Sequence, residues 1–476
     1  MKPLFAEYPR HVAELVRVAV EAADPVTAVQ KHLYRHQRTL TVGDTHFDLD
    51  GGRVFLVSMG KAAVPMGKAA AEILGEDLAG GVILTKKGAR AVPFSAQHPA
   101  LLLLVGGHPV SDEDSVAATA AVTEFLAQAT VGDLVIYLIS GGTSALLTQP
   151  LIPLADWQTL TKALLASGCT IQELNCVRRQ LDRVKGGGLA RLSAPATAVS
   201  LILSDVVGNP LADIGSGPTV LVEEAPAAAL AVLQHYQIAG QLEPVVWQRI
   251  EAILSRPAQA PRKVVASEQV IIGDIQEAAT AVFTKAAQLG FLTQILTTQL
   301  EGEAREVGKF VAAIAKELPP GRCLILGGET TVTLRGDGIG GRNQEVALAA
   351  AVALAGHPCV VVASFATDGE DSTTGMAGAM VTGATADLAQ QNNLNPRAYL
   401  ANNDSFTFFQ QLDDALQGND DALRRNEDAL QGNEEMEENI NEAEMEPSPV
   451  TPRPASLIYT GPTGTNVNDL IIILTY

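Results

Sequence analysis

The chain has 476 residues, 47% hydrophobic and 18% charged, which excludes a globally disordered protein because a large apolar core can form. Only 4% are aromatic, and no apolar run approaches the roughly 18 residues of a membrane span, so neither a β-sandwich nor a membrane partner is expected. The net charge of -20 is concentrated in 413–447, where 13 acidic residues accompany 2 arginines, so a basic surface for nucleic acid is not expected either. The N-terminus has no apolar signal core and the four cysteines form no CxxC pair, which predicts a cytoplasmic protein.

Strand-like apolar runs alternate with helical patterns along the chain. The first series comprises RVFLVSM (53–59), GVILT (81–85), LLLLV (101–105), DLVIYLI (133–139) and SLIL (200–203), with helical patterns over 112–128, 154–167 and 172–184. A second series starts at VIIG (270–273) and continues through FLTQILT, CLILGG and CVVVASFA; the aperiodic stretch 255–267 predicts a domain boundary. The alternation predicts an α/β fold with parallel sheets, because parallel strands need crossover connections.

An acidic repeat interrupts the second series. From residue 413 the chain reads DDALQGN, DDALRRN, EDALQGN, EEMEENI and NEAEMEP, and a Pro-rich stretch, SPVTPRPAS (448–456), follows. Ala and Leu are adjacent within the copies, which differs from the spacing of a coiled-coil seam, although an oligomerisation role stays open. We expect 417–457 to be a solvent-exposed excursion without catalytic groups, since its few apolar residues cannot form a core.

Three stretches of the first series carry residues suited to anions. Lys61, in SMGKAA, follows a strand and opens a helix, where the backbone dipole favours negative charge; a solvated lysine is the alternative. The turn SGGTS, at 140–144, offers backbone N–H groups and hydroxyls to phosphate oxygens, although a tight turn also explains its glycines. In LNCVRRQLDRVKGGGLA, Arg178 and Lys185 belong to a basic cluster that suggests an anionic substrate or a plain amphipathic helix.

Further polar residues follow predicted strands. Asp205 comes directly after SLIL, where a carboxylate suits Mg²⁺ or a substrate proton, or simply caps the next turn. His108 lies beside a glycine-rich strand end and is a candidate substrate contact. Arg342 lies at a predicted helix entrance, where a guanidinium can clamp a carboxylate or phosphate. Asp368 follows an apolar strand, with Glu370 and Asp371, and is a candidate metal ligand.

Taken together, the motifs resemble those of one enzyme family, the glycerate 2-kinases. The similar stretches are MGKAA, GHPVSDE, SGGTSALL, LNCVRRQLDRVKGGGLA, SDVVGNPLADIGSGPT, GGETTVTLRGDGIGGRNQE, ATDGEDSTTGMAGA, NNDSF and TGPTGTNVNDL. The resemblance implies two Rossmann-like three-layer α/β domains: a glycerate-kinase N-terminal domain over 1–260 and a MOFRL-type domain over 265–476. It also implies parallel sheets, an interdomain active-site cleft, and ATP-dependent phosphorylation of D-glycerate to 2-phospho-D-glycerate with Mg²⁺ or another divalent cation.

The expected residue roles combine these sequence patterns with the resemblance, which itself supplies the roles of Lys61, Asp205, Arg342 and the 140–144 turn. Lys61, Asp205 and Arg342 are expected to be catalytic, and Asp205 and Asp368 are the expected metal ligands. The remaining expected contacts are of two kinds. Nucleotide or phosphate contacts are expected from Ser140, Gly141, Gly142, Thr143, Ser144, Gly327, Gly328 and Glu329, and substrate contacts from His108, Arg178 and Lys185. The chain departs from the family at Asp371-Ser372, where relatives usually have Asp-Gly, and at the acidic repeat, which lies between Leu416 and Thr460.

Two other functions stay open at this point. An NAD(P)H-dependent hydroxypyruvate reductase needs a GxGxxG fingerprint followed by an acidic residue about 20 positions on, and the chain lacks that combination. A non-catalytic sugar-acid binding protein does not require the Lys, Arg and Asp residues that gather at strand ends. Direct in-line phosphoryl transfer fits them better, since it depends on positioning and charge neutralisation.

Overall fold

The computed structural model describes residues 3–88, 101–256, 268–417 and 456–476. The chain divides into two compact units: an N-terminal unit of 22–275 with 464–467, and a C-terminal unit of 1–21, 276–463 and 468–476. The strands are β1 Leu33–His36, β2 Thr39–Val42, β3 Thr45–Asp48, β4 Val54–Met59, β5 Leu78–Lys86, β6 Leu101–Gly106, β7 Leu134–Ile139, β8 Thr197–Leu203, β9 Glu268–Gly273, β10 Leu292–Glu303, β11 Arg322–Thr331, β12 Val360–Ala366, β13 Gly378–Thr382, β14 Leu457–Ile458 and β15 Asp469–Thr475.

Helices separate most of the strands. They are α1 Tyr8–Ala22, α2 Pro25–His32, α3 Ala63–Leu74, α4 Glu113–Leu126, α5 Thr143–Leu146, α6 Leu154–Ala166, α7 Ile171–Leu181, α8 Gly188–Ser193, α9 Pro226–His235, α10 Pro244–Leu254, α11 Ile275–Gln288, α12 Ala304–Glu317, α13 Arg342–Leu354, α14 Thr385–Gln391 and α15 Pro396–Ala401. A further helix covers 405–417. No helix of the described ranges is both long and apolar enough to cross a bilayer.

The N-terminal unit contains a six-stranded sheet in the order β6-β5-β4-β7-β8-β9, with every neighbouring pair parallel. The central strands are apolar along their whole length because helices cover both faces. Phe55 and Val57 of β4 pack with Val122 of α4, whereas Ile83 of β5 packs with Ala63 and Val64 of α3. The predicted parallel α/β fold is confirmed for this unit.

The position of β9 differs from the prediction. VIIG was expected to open the second domain, but β9 pairs in parallel with β8, from Val199↔Glu268 to Leu203↔Gly273, and therefore completes the first sheet. The structural division falls between Ile275 and Gln276, and residues 1–21 group with the C-terminal unit. An antiparallel β1-β2-β3 sheet, which the sequence patterns did not indicate, precedes β4.

The C-terminal unit has a mixed sheet rather than the parallel sheet that was expected. Its order is β10-β11-β15-β12-β13-β14, and only β10 and β11 pair in parallel. The C-terminal strand β15 lies between β11 and β12 and runs antiparallel to both. Its apolar side chains are buried on both faces, with Ile471 and Ile473 packed against the α12–α13 side. A strand that is buried on both faces has a continuous apolar sequence whether it pairs in parallel or antiparallel with its neighbours. Its sequence therefore does not indicate its orientation.

Most of the predicted excursion 417–457 lies outside the described residues. Gln417 ends the helix at 405–417, and Leu457 begins β14, which pairs with β13. These flanking residues therefore belong to the folded C-terminal unit, and the segment in question is 418–455.

Candidate active site

Two strand-end turns of the N-terminal unit are tied together by hydrogen bonds. The Lys61 N–H donates to the Gly141 carbonyl at 2.8 Å, and the Ala62 N–H donates to Ser140 Oγ at 3.1 Å. Gly60 has a φ of +115°, and a Cβ placed there would lie 2.3 Å from Ser140 Oγ. Only glycine suits such a conformation and approach. The turn after β4 is thus fixed against the turn after β7.

The Gly141–Gly142 pair brings three predicted residues together. A Cβ built on Gly141 would lie 1.9 Å from Asp205 Oδ2. A Cβ built on Gly142 would lie 3.1 Å from His108 Nε2 and 3.2 Å from Lys61 Cγ. The missing side chains allow a carboxylate, an imidazole and a lysine to reach the same short stretch of backbone. Within this unit, the structure therefore gathers Lys61, His108 and Asp205 around one turn.

His108 is uncharged at neutral pH in this setting. Burial, with the positive charges of Lys61 and Lys86, lowers the pKa of His108 from 6.5 to about 4. A neutral imidazole can donate one hydrogen bond and accept another, so it suits contact with a hydroxyl group.

The turn at 140–144 keeps its backbone donors for other atoms. The hydroxyls are engaged within the protein: Thr143 Oγ1 donates to Ser140 O at 2.7 Å, and Ser144 Oγ bonds Ser216 Oγ at 2.8 Å. By contrast, the N–H groups of Gly142, Thr143 and Ser144 donate to no atom of the described ranges. Several N–H groups that point from one turn form a concave site for phosphate-type oxygens.

Asn466 is a site residue that the sequence motifs did not indicate. It lies in TGPTGTNVNDL, within the 464–467 segment that groups with the N-terminal unit. Its Nδ2 donates to Asp205 Oδ2 at 3.5 Å. The polar loop was a sequence feature that could have indicated a site here, but nothing in the sequence indicates that residue 466 lies close to residue 205.

The structure separates the members of the basic cluster at 178–191. Arg179 is paired with Glu224 and with Asp213, the latter at 3.0 Å. Lys185 is 0% exposed, and its Nζ donates to the carbonyls of Ser144 at 2.7 Å and Leu147 at 2.9 Å. Burial lowers the pKa of Lys185 to about 8. These two hydrogen bonds hold the backbone at Ser144 and Leu147, and so stabilise the 140–144 turn. The substrate contact of Lys185 stays a prediction.

In the C-terminal unit, Arg342 opens α13 and is held by Asp469 at the start of β15. Its Nη2 donates to Asp469 Oδ1 at 2.8 Å, its Nε donates to the other carboxylate oxygen, and Glu329 lies 3.4 Å away. Burial opposes the charge on Arg342, but the hydrogen bond and charge of Asp469 outweigh it and raise the pKa. The Arg342 side chain is 26% exposed, so part of it is accessible to a ligand.

Asp371 caps the helix that carries Arg342. Its carboxylate accepts hydrogen bonds from the N–H groups of Asn343 at 3.1 Å and Gln344 at 2.9 Å. Burial raises the pKa of Asp371 to about 6, while those N–H groups act in the opposite direction. A Cβ on Gly341 would lie 2.2 Å from Asp371 Cγ, which explains the glycine before Arg342. The carboxylate that was considered for a metal is thus occupied by helix capping.

The predicted nucleotide residues Gly327 and Gly328 lie inside β11, opposite Leu470 and Asp469 of β15. A Cβ on Gly328 would lie 2.0 Å from Leu300 O, so close strand approach accounts for this glycine. Glu329 follows in the same strand, and its carboxylate accepts a hydrogen bond from Asn468 Nδ2 at 3.1 Å. A nucleotide role for the three residues stays a prediction.

The carboxylates near the strand ends are the candidate ligands of a divalent cation. The described ranges contain no group of three or more His, Cys, Asp or Glu residues arranged to hold a metal. Mg²⁺ seldom needs such a cage, since it is commonly bound through one or two carboxylates together with waters and substrate phosphates. Asp205, beside the free N–H groups of the turn, fits that mode. Asp368 Oδ1 accepts the Glu370 N–H at 3.0 Å.

A parallel α/β unit with glycine turns, a lysine and a carboxylate at the carboxyl ends of its strands has the arrangement in which open α/β folds bind their ligands. Residues 11–251 match the model described as a domain of unknown function, DUF4147, and residues 322–421 match the MOFRL family. The chain belongs to the family of glycerate 2-kinases that combine these two domains.

Individual relatives agree with this assignment. A D-glycerate 2-kinase of Thermotoga maritima is 38% identical over 96% of this chain and 96% of its own length. A crystal structure of glycerate kinase from the same organism matches with a TM-score of 0.78 and 36% identity, over 99% of this chain and 100% of that chain. A putative hydroxypyruvate reductase of Agrobacterium vitis is 34% identical over 89% of this chain and 99% of its own length.

Proposed function

We infer that this protein is a glycerate 2-kinase, which transfers the γ-phosphoryl group of ATP to the 2-hydroxyl of D-glycerate. The observation that carries this function is the convergence of Lys61, His108 and Asp205 on Gly141–Gly142, in a chain similar to glycerate kinases over nearly its whole length. The predicted family, fold class and activity agree with the comparisons. The interdomain cleft and the individual residue roles stay predictions.

The arrangement suits direct in-line transfer. The 2-hydroxyl oxygen forms a bond to the γ-phosphorus while the bond to the bridging oxygen of ADP breaks. Asp205 accepts the proton of the 2-hydroxyl, and the neutral His108 holds the hydroxyl by a hydrogen bond. Lys61 and the free N–H groups of the 140–144 turn stabilise the negative charge on the transferring group. Such preorganised donors are the main catalytic contribution available in this chemistry.

The C-terminal unit supplies a second set of charges. We assign Arg342 to an anionic group, either the carboxylate of glycerate or a phosphate, because Asp469 fixes its orientation while part of the side chain is exposed. Gly327, Gly328 and Glu329 are assigned to the nucleotide. Asp371 acts as a positioning residue, since it holds the first turn of α13.

Mg²⁺ is the proposed divalent cation, with Asp205 and Asp368 as the candidate ligands. When bound, it would neutralise charge on the phosphates of ATP. Cytoplasm is the proposed location, in keeping with the four free thiols, Cys169, Cys176, Cys323 and Cys359.

The reductase function is disfavoured by the contacts of the one GxGxxG-like stretch, Gly336–Gly341. Instead of a tight strand-to-helix turn, these residues form an extended segment against 402–405. A Cβ on Gly336 would lie 2.2 Å from Asn402 Oδ1, and one on Gly340 would lie 2.2 Å from Ser405 Oγ. These glycines are explained by packing within the protein rather than by a dinucleotide pyrophosphate.

The activity is tested by following ADP release with ATP, Mg²⁺ and D-glycerate, and by identifying the product by NMR. We expect ADP and 2-phospho-D-glycerate in equal amounts. NADH oxidation that depends on hydroxypyruvate, without glycerate-dependent ADP release, would establish the reductase instead. Tight binding of D-glycerate without turnover would establish a non-catalytic binding protein.

A further inference from the structure

A small pocket beside the 140–144 turn is lined by an arginine, Arg178, whose guanidinium is not hydrogen-bonded within the described part of the chain. The pocket lies within the N-terminal unit, where α5, α6 and α7 meet, and its lining includes Val110, Ser144, Trp157 and Arg178. In 3–88, 101–256, 268–417 and 456–476, no atom forms a hydrogen bond or an ion pair with the Arg178 guanidinium. A guanidinium has five N–H donors and no acceptor, so the pocket presents unused donors to whatever enters it.

Three other polar side chains that line the pocket are already bonded. Ser111 Oγ donates to Ala145 O at 2.8 Å, and Gln158 Nε2 donates to Ser111 O at 2.8 Å. Ser144 Oγ bonds Ser216 Oγ at 2.8 Å. These bonds fix the walls of the pocket, and Arg178 is the charged residue among the described lining residues.

The neighbouring basic residues differ from Arg178. Arg179 is paired with carboxylates, Lys185 donates to two carbonyls, and Arg191 donates to Gly186 O at 2.9 Å. Arg183 is exposed to solvent. Arg178 is therefore the partly buried member whose guanidinium has no hydrogen bond or ion pair among the described residues.

Burial makes an uncompensated charge costly. Desolvation lowers the pKa of Arg178, and the nearby charge of Asp182 offsets this only in part. The Asp182 carboxylate is itself engaged by Thr148 Oγ1 at 2.6 Å and by the Gln149 N–H at 3.1 Å. Since arginine stays protonated in proteins, an anion in the pocket would remove the cost.

The small volume of the pocket favours a small anionic group. The cavity volume is about 20 Å³, and a volume of about 10–15 Å³ is enough for one water. A carboxylate end fits this space, whereas a nucleotide does not. Arginine also matches a carboxylate geometrically, because its planar donors can form two parallel hydrogen bonds with the two oxygens.

We propose that the pocket of Arg178, Val110 and Trp157, beside Ser144, binds the carboxylate of the hydroxy-acid substrate. This assignment rests on the proposed glycerate kinase function and deepens it, and of the two anionic groups proposed for Arg342 it leaves the phosphate. Ser144 is two residues from Gly142, a distance of at most about 7 Å along the chain. The carboxylate of a 2-hydroxy acid is bonded to the carbon that bears the hydroxyl. A carboxylate in the pocket therefore brings the 2-hydroxyl towards His108, Lys61 and Asp205.

Steady-state kinetics of Arg178→Met and Arg178→Lys test the proposal. Loss of a charge-assisted contact made equally in the ground and transition states raises KM without lowering kcat. We expect the KM for D-glycerate to rise ~10- to 100-fold in Arg178→Met, with kcat and the KM for ATP within about twofold of the native values. Arg178→Lys keeps the charge but loses the paired geometry, so its KM should be intermediate. Arg183→Met, at the exposed position, is the matched control and should leave all three constants unchanged.

The same KM values show whether glycerate or ATP supplies the anion that binds in the pocket. A rise in the KM for ATP with an unchanged KM for glycerate would assign the pocket to a nucleotide phosphate and overturn the proposal. Unchanged constants in both Arg178 variants would remove the pocket from substrate binding. Thermal melts identify any variant that fails to fold, and in that case Arg178→Lys carries the test.

Direct binding separates this proposal from the kinase function. Calorimetric titration with D-glycerate, and with glycerol as the analogue that lacks a carboxylate, needs no turnover. We expect wild type to bind D-glycerate much more tightly than glycerol, and Arg178→Met to lose that preference. Native binding of D-glycerate by Arg178→Met contradicts the pocket assignment even where phosphorylation is observed. Absence of phosphorylation in wild type contradicts the kinase function whichever way the binding experiment turns out.

Discussion

Asp413 accepts hydrogen bonds from the backbone N–H of Ser456, at 2.8 Å and 3.0 Å to its two carboxylate oxygens, although the residues are 43 positions apart. It also accepts the Leu457 N–H at 3.3 Å. Asp413 lies in the helix at 405–417, and Leu457 begins β14. The two chain ends that flank 418–455 are therefore fastened to one another inside the C-terminal unit.

This contact predicts that 418–455 can be replaced by a four-residue turn. The helix continues from Asp413 to Gln417, one turn or roughly 6 Å of rise, and four extended residues reach roughly 13 Å. We expect the melting temperature and the glycerate-dependent ADP release to be retained or increased, because the Asp413 contact and the β13–β14 pairing survive. A thermal melt and the kinase assay measure the outcome.

Asp413→Ala in the full-length chain is the variant with which the deletion is compared. It removes the acceptor of the Ser456 and Leu457 N–H groups and should lower the free energy of unfolding by about 1–3 kcal/mol. A deletion variant that does not fold, beside a stable Asp413→Ala variant, would show that 418–455 is structurally required.

Removal of the charged site residues should reduce turnover. We expect Lys61→Ala, Asp205→Asn and Arg342→Ala each to lower kcat by about 100-fold, as for loss of a transition-state charge contact. Lys68→Ala is the control for Lys61, because Lys68 is exposed on α3 and should be silent. Near-native turnover in one of the three variants would exclude that residue from the chemistry.

Gly141→Ala tests the close approach of Asp205 to the turn. The added Cβ would lie 1.9 Å from Asp205 Oδ2, so the carboxylate must move away from the backbone. We expect kcat to fall about as far as in Asp205→Asn, roughly 100-fold, with folding preserved by circular dichroism. Gly240→Ala is the matched control, since a Cβ there has no atom within 4 Å. Equal activities of the two alanine variants would contradict the proposed geometry.

The charge of Lys61 should be visible in the titration of His108. In an NMR titration, we expect the His108 imidazole to have a pKa near 4, against 6.5 for an unperturbed histidine. Lys61→Met should raise this pKa but leave it below 6.5, because burial, the larger cause, remains. An unchanged value in Lys61→Met would place the lysine charge away from the imidazole.

The same shift gives a stability prediction. Because the folded-state pKa of His108 is depressed, the unfolded chain binds more protons between pH 6.5 and about 4. This contribution to stability is therefore complete above pH 6.5 and is lost as the pH falls through that window. Urea unfolding across the window should show a flatter pH dependence for His108→Gln than for wild type.

Local patterns account for the strands and turns that the sequence predicted. The run VFLVSM becomes β4, and LVIYLI becomes β7, because a fully apolar run that ends at Gly or Ser is stable only as a buried strand at this length. Glycines at 60 and 141–142 were expected to open phosphate-type turns, and the structure shows turns there. These features depend on neighbours in the chain, so the sequence alone specified them, together with the family.

Only the tertiary structure decided which charged residues are already paired. Arg178 and Arg179 are adjacent and chemically identical, yet Arg179 meets Asp213 and Glu224 while Arg178 faces a pocket. Asp371 is committed to the N-terminus of α13, and β15 enters its sheet antiparallel. Each outcome depends on the group that the fold places opposite a residue, often more than a hundred positions away. Composition and periodicity depend on residues that are close together in the chain, so they do not indicate such partners. The partners are determined when the helices and strands pack together.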